Sequence, residues 1–98
     1  MRRDDVITRL KEAEPAIRAQ GVRALYLYGS LARDEAGPDS DIDVFVDVDP
    51  RHEFGFDEFM AIYAILQEKL GPDVDYTTRD GLVEFFRLDI EKEAIRVF

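Results

Sequence analysis

A chain of 98 residues, 46% hydrophobic and 36% charged, describes one domain spanning 1–98, too apolar to be disordered and able to bury one modest core. Its net charge of −9 sets it against nucleic acid and anionic membrane as main partners, and favours a basic protein or metal cations. With no cysteine, disulfides, thiolate metal sites and thiol catalysis are excluded.

The first periodic segment runs over residues 4–20, where Val6, Ile7, Leu10, Ala13 and Ile17 recur at helical spacing. Asp4 or Asp5 can cap it, Gly21 can end it, and Pro15 interrupts it with a kink or an earlier stop. Residues 22–28 (Val-Arg-Ala-Leu-Tyr-Leu-Tyr) are a short stretch with β-branched and aromatic residues and read as a strand, broken by Gly29-Ser30. Leu31 to Glu35 has the composition of a short helix, and Gly37-Pro38-Asp39-Ser40 is a turn.

From Asp41 to Asp49 the chain alternates, with Ile42, Val44, Val46 and Val48 on one face and Asp41, Asp43, Phe45, Asp47 and Asp49 on the other. Residues 56–70 form an amphipathic helix through Phe56, Phe59, Met60, Tyr63, Leu66 and Leu70, stopped by Gly71-Pro72. A short strand follows at 73–77. A helix is expected over 80–92 through Leu82, Phe85, Phe86 and Ile90, with a last strand at 94–98. The order α-β-α-β-α-β-α-β predicts an α/β or α+β layer fold. No apolar run reaches the roughly 20 residues of a membrane span, and Met-Arg-Arg-Asp-Asp at the start lacks the apolar stretch of a signal peptide, so the expected setting is the cytoplasm.

Chemistry concentrates in residues 29–43. Asp41 and Asp43 are two apart in a strand, so their carboxylates point the same way roughly 6–7 Å apart. Such a pair suits Mg²⁺, which takes one or two carboxylates together with phosphate oxygens and waters. Without a cation the two charges repel and their pKa values rise. Gly29 lets the backbone approach a ligand, Ser30 adds a hydroxyl, amides at a helix start favour an anion, and Arg33 lies one turn on. Two metals usually need a third carboxylate. Asp75 is the candidate, and Asp73 on the same strand face is the fallback.

Other readings of these residues are weaker. Gly-Ser alone says little, and Asp-x-Asp often decorates a solvated strand. A calcium loop starting at Asp39 fails at its sixth position, Val44, and at its twelfth, Pro50. Asp47 and Asp49 read as the solvated end of the acidic face, and His52 as an exposed loop residue. Tyr26 and Tyr28 read as sheet packing. Phe54, Phe56, Phe59 and Tyr63 read as core, with a partner-facing patch as the alternative for part of the set.

Taken together, Tyr28-Gly29-Ser30-Leu31-Ala32-Arg33 and Ser40-Asp41-Ile42-Asp43-Val44, with Val74-Asp75-Tyr76 further on, resemble the minimal nucleotidyltransferases of the DNA polymerase β superfamily. The family pattern of Gly-Ser, ten residues and Asp-x-Asp is met without a gap. Tyr76 stands where the family usually has an aliphatic residue. The resemblance implies a small mixed sheet with helices packed on it, and transfer of AMP from ATP with Mg²⁺, two ions being the usual number. It implies that Gly29 and Ser30 hold the triphosphate tail and that Asp41, Asp43 and Asp75 are the catalytic, metal-binding set; Arg33, one turn on, is placed to bind a nucleotide phosphate or to hold a carboxylate in place.

Larger relatives carry an added helical domain. This chain shows none, so the acceptor or a partner is expected to complete the site. Many such minimal proteins are MntA-type antitoxins paired with a HEPN ribonuclease toxin, some attaching AMP to a tyrosine of that toxin. The leading expectation is therefore an adenylyltransferase acting on a HEPN toxin, as a homodimer or a hetero-oligomer. The alternatives are a binding module that neutralises its partner by occlusion, and a nucleotidyltransferase of small molecules. Nucleic-acid synthesis ranks last, because the chain has no basic groove.

Overall fold

A computed structural model describes residues 1–98. The chain runs α1 (Arg3–Glu12), α2 (Glu14–Ala19), β1 (Val22–Tyr28), α3 (Gly29–Ala32), β2 (Ile42–Val48), α4 (Phe56–Leu70), β3 (Val74–Thr78), two 3₁₀ turns at Arg79–Gly81 and Glu84–Phe86, α5 (Arg87–Glu93) and β4 (Ile95–Arg96). Its four strands form one mixed sheet in the order β3-β2-β1-β4. β1 is antiparallel to both β2 and β4, while β2 and β3 are parallel, joined by α4 as the crossover that parallel pairing requires.

The expected first helix is two. Pro15 has no N–H to return to the carbonyl of Lys11, so the chain breaks at Ala13 and restarts with Pro15 in the first turn of α2, where a missing donor costs nothing. Gly21, at φ +100, then reverses the chain into β1.

The alternation in β2 explains one face of the sheet. Val44 and Val46 are fully buried against Leu25 and Leu27 of β1, Val6 and Leu10 of α1, Ile17 of α2, and Ile62 and Leu66 of α4. Each such side chain contributes about 1.5–3 kcal/mol. On β3, Tyr76 joins this face by stacking on Phe59 of α4 with ring centroids 4.5 Å apart.

The opposite face was expected to lie away from the core, and at its centre it does not. Phe45 on that face is also fully buried. Tyr26 stacks on it at 4.8 Å, and the guanidinium of Arg79 lies 4.9 Å from its ring centre and 5.1 Å from that of Tyr26. Arg79 also forks onto Asp47 at 2.6 and 2.9 Å and pairs with Glu91 of α5. Asp47 is therefore an anchor for the chain after β3, and only 13% of its side chain is exposed; its reading as a solvated end is corrected.

The helix expected over 80–92 forms only from Arg87 onward, as α5. The stretch is two 3₁₀ turns before α5 begins. Gly81 presses so closely on β3 that a Cβ there would collide with the Thr77 hydroxyl. Leu82 is buried, but Phe85 and Phe86 are exposed, so the segment is held by an arginine and one leucine and not by an apolar helical stripe. Phe56, expected in the core, is likewise exposed at the start of α4, while Phe54, Phe59 and Tyr63 pack against the core as expected.

Candidate functional site

The register of the sheet sets the site. Tyr28 is opposite Asp43 on β2, and Asp43 is opposite Asp75 on β3. All three therefore stand in one row on the second face, at the edge where β1 hands over to Gly29. The expected helix at 31–35 begins earlier, at Gly29, and is a single turn. One turn sums too few peptide dipoles to act as a helix terminus. The anion-binding potential of this segment lies instead in the Gly29 amide and the Arg33 guanidinium.

Gly29 has two reasons to be glycine. Its φ is +76, a region that side chains strain. A Cβ on it would also collide with a carboxylate oxygen of Asp43. The close approach expected here between backbone and ligand is thus matched by one between backbone and the Asp43 side chain.

Asp43 and Asp75 line one cavity of about 650 Å³, together with Tyr28, Gly29 and Arg33. Partial burial pushes the Asp43 carboxyl up to about 6, helped by the neighbouring charges of Asp75, Asp41 and Glu93, against the opposing pull of Arg33. The same burial, with Asp43 and Asp75 adding, pushes the Tyr28 phenol up to about 12, so it stays protonated at neutral pH.

Asp41 is exposed and lines a smaller neighbouring cleft, of about 140 Å³, with Ser40 and Asp73. Asp73 lies just before β3, its carbonyl accepting the Ile42 N–H at 2.9 Å. Ser30 stands in the turn but outside the cavity lining, and its carbonyl accepts the Glu35 N–H at 2.8 Å. As the side chains stand, no three carboxylates converge on one point. The sheet brings Asp43 and Asp75 together and leaves Asp41 one residue pair along the same edge.

The far wall comes from the C-terminal segment, which the sequence reading did not connect to the site. Leu82, Val83, Phe86 and Ile90 give it an apolar surface, and Asp89 and Glu93 add charge. Glu93 reaches farthest: it accepts two hydrogen bonds from Arg33, at 2.9 and 3.0 Å, and one from the Gly29 N–H at 3.3 Å. Nothing in residue spacing signals this wall, because it depends on Arg79 folding the chain back over Phe45.

The residues present fit a hard divalent cation. Asp43 and Asp75 are oxygen donors facing each other across parallel strands. The Asp43 carboxyl is raised first by burial and then by the neighbouring charges of Asp75 and Asp41, and a cation between the carboxylates would offset that second part.

Comparison with known proteins places the chain. The model of the nucleotidyltransferase domain family matches residues 4–97. A protein of Methanocaldococcus jannaschii, provisionally named a protein adenylyltransferase, is 32% identical over 77 residues, which are 78% of this chain and 77% of that one. A solved structure, provisionally named a minimal nucleotidyltransferase, superposes with a TM-score of 0.81 at 26% identity, covering 97% of this chain and 95% of that one. A chain from a toxin–antitoxin structure with AMP-PNP gives 0.65 at 17% identity, over 100% and 73% of the two chains. A nucleotidyltransferase of Sulfolobus solfataricus, also provisionally named, gives 0.56 at 18%, over 96% and 80%. The last two likenesses establish the shared fold. The expected mixed sheet with packed helices is the nucleotidyltransferase fold.

Proposed function

The chain belongs to the nucleotidyltransferase domain family, and on that premise we propose that it transfers AMP from ATP to a protein hydroxyl, most simply a tyrosine of a HEPN-type toxin for which it is the antitoxin. The observation that carries this reading is the pairing of Asp43 with Asp75 across β2 and β3, in one cavity with Gly29 and Arg33. The relative named as a protein adenylyltransferase supports a protein acceptor, and the toxin–antitoxin neighbour with AMP-PNP supports both the partner and the nucleotide. The charge of −9 suits docking on a basic partner. A cytoplasmic setting goes with ATP as donor.

The acceptor oxygen bonds to the α-phosphorus, the bond from that phosphorus to the β-bridging oxygen breaks, and pyrophosphate leaves. Gly29, Ser30 and Arg33 hold the triphosphate tail through the backbone N–H, the hydroxyl and the guanidinium. Asp75, exposed at the cavity mouth, accepts the hydroxyl proton. Mg²⁺ held by Asp43 and Asp75, with Asp41 from the next position on the edge, would supply the positive charge that offsets the phosphates.

The test is to incubate the protein, Mg²⁺ and α-labelled ATP with the protein encoded next to it. Label on a tyrosine of that neighbour supports the reading. Neutralisation of the neighbour that survives Asp41→Ala plus Asp43→Ala, with no label transferred, supports occlusion instead.

A further inference from the structure

Glu93 occupies two of the groups at the cavity that can receive an anion, the Gly29 N–H and the Arg33 guanidinium. Its carboxylate takes both hydrogen bonds offered by Arg33 Nη1 and the N–H of Gly29, while Arg33 Nε is turned to Glu35 at 3.1 Å. A phosphate on this turn needs the same donors, and one N–H cannot serve a carboxylate and a phosphate at once. Glu93 also brings a negative charge to within reach of Asp43 and Asp75, where the triphosphate itself must sit.

We infer that Glu93 is an internal competitor of the nucleotide: its carboxylate stands in for a phosphate on Gly29 and Arg33, and the triphosphate must displace it. This deepens the transferase reading and rests on it.

The fold makes such a displacement cheap. α5 is seven residues long and has no buried residue, so moving it uncovers little apolar surface. Glu93 lies between two tethers, Glu91 on Arg79 and β4 on β1, so its side chain swings off the turn while the backbone on either side stays attached. A site closed in most molecules binds with an apparent affinity reduced by the open fraction. Removing the competitor restores that fraction.

The experiment measures affinity by calorimetry for Mg²⁺–AMP-PNP and, separately, for inorganic tripolyphosphate. The chains are the unaltered protein, Glu93→Gln, Arg33→Ala and the double variant, with circular dichroism as a check on folding and Glu93→Ala as a second variant at the same position. Glu93→Gln is expected to bind both probes about tenfold tighter, and the gain is expected to vanish when Arg33 is also alanine. Equal or weaker binding by Glu93→Gln and Glu93→Ala, with the unaltered protein still binding, overturns the inference and leaves the transferase reading standing. A gain that persists without Arg33 also overturns it, because the effect is then one of net charge. Binding of neither probe by any of the chains overturns both.

Discussion

Gly29 and Asp43 meet where β1 ends, with the glycine at φ +76 and the space of its missing side chain filled by the Asp43 carboxylate. The two halves of the sequence motif, ten residues apart on the chain, are therefore one contact. Gly29→Ala is expected to strain the backbone and push Asp43 out of its row. The stability loss is about 2 kcal/mol, read as a fall of roughly 10 °C in melting temperature. Transfer activity should fall further than stability does. An active Gly29→Ala protein of normal stability contradicts the contact.

Asp43 gives the site a pH signature. Its folded pKa is raised to about 6 from an ordinary 3.8. Between those values the folded chain holds a proton that the unfolded chain has released, so stability falls as pH rises through that window and stays lower above it. In EDTA at pH 7.5, Asp43→Asn is expected to be more stable than the unaltered protein by about 1 kcal/mol, after discounting for the half-exposed carboxylate. The difference should shrink below pH 6 and vanish near pH 4. Thermal melts across pH check it; a difference that is constant with pH removes the crowded-carboxylate account.

Arg79 holds the C-terminal segment over the sheet through Asp47, Glu91 and the faces of Phe45 and Tyr26. Arg79→Lys keeps the charge but loses the planar fork and the stacking, and is expected to cost about 1–2 kcal/mol. Arg79→Ala strands Asp47 and should cost about 3 kcal/mol. Denaturant unfolding measures both. If the lysine variant matches the original, the guanidinium geometry is not what anchors the segment.

Tyr76 stands in the core with a hydroxyl that no protein group pairs, and burial pushes its phenol well above the usual range. Tyr76→Phe keeps the stacking on Phe59 and Tyr63 and removes the orphan oxygen. It is expected to raise stability by about 1 kcal/mol. A loss in the same melt means that the hydroxyl is satisfied in solution.

The sequence made the sheet legible where one periodicity dominated. The alternation of 42–48 located β2 and its buried face, and the stripe from Phe56 to Leu70, closed by Gly71-Pro72, matched α4 to the residue. It failed where tertiary contacts decided. Phe45 and Asp47 look solvent-facing by alternation, yet Arg79, thirty-two residues after Asp47, covers both. Phe85 and Phe86 look like the core stripe of a helix, yet the chain forms 3₁₀ turns there. In the candidate site, Gly29, Asp43 and Asp75 were legible because the motif is local and strand pairing aligns the rest. Glu93 was not, because its contact with Arg33 spans sixty residues and carries no spacing signal.

The central claim is adenylyl transfer at the Asp43–Asp75 edge. The direct measurement compares ATP labelled at the α-phosphate with ATP labelled at the γ-phosphate, in the presence of Mg²⁺ and the neighbouring gene product, using the unaltered protein, Asp43→Asn, Asp75→Asn and Asp73→Asn. The account expects α-label on a tyrosine of the acceptor and γ-label only in released pyrophosphate. It expects loss of at least about a hundredfold in rate for Asp43→Asn and Asp75→Asn, with Asp73→Asn close to unaltered. Transfer of the γ-label to the acceptor, or α-label transfer undiminished in Asp43→Asn, contradicts it.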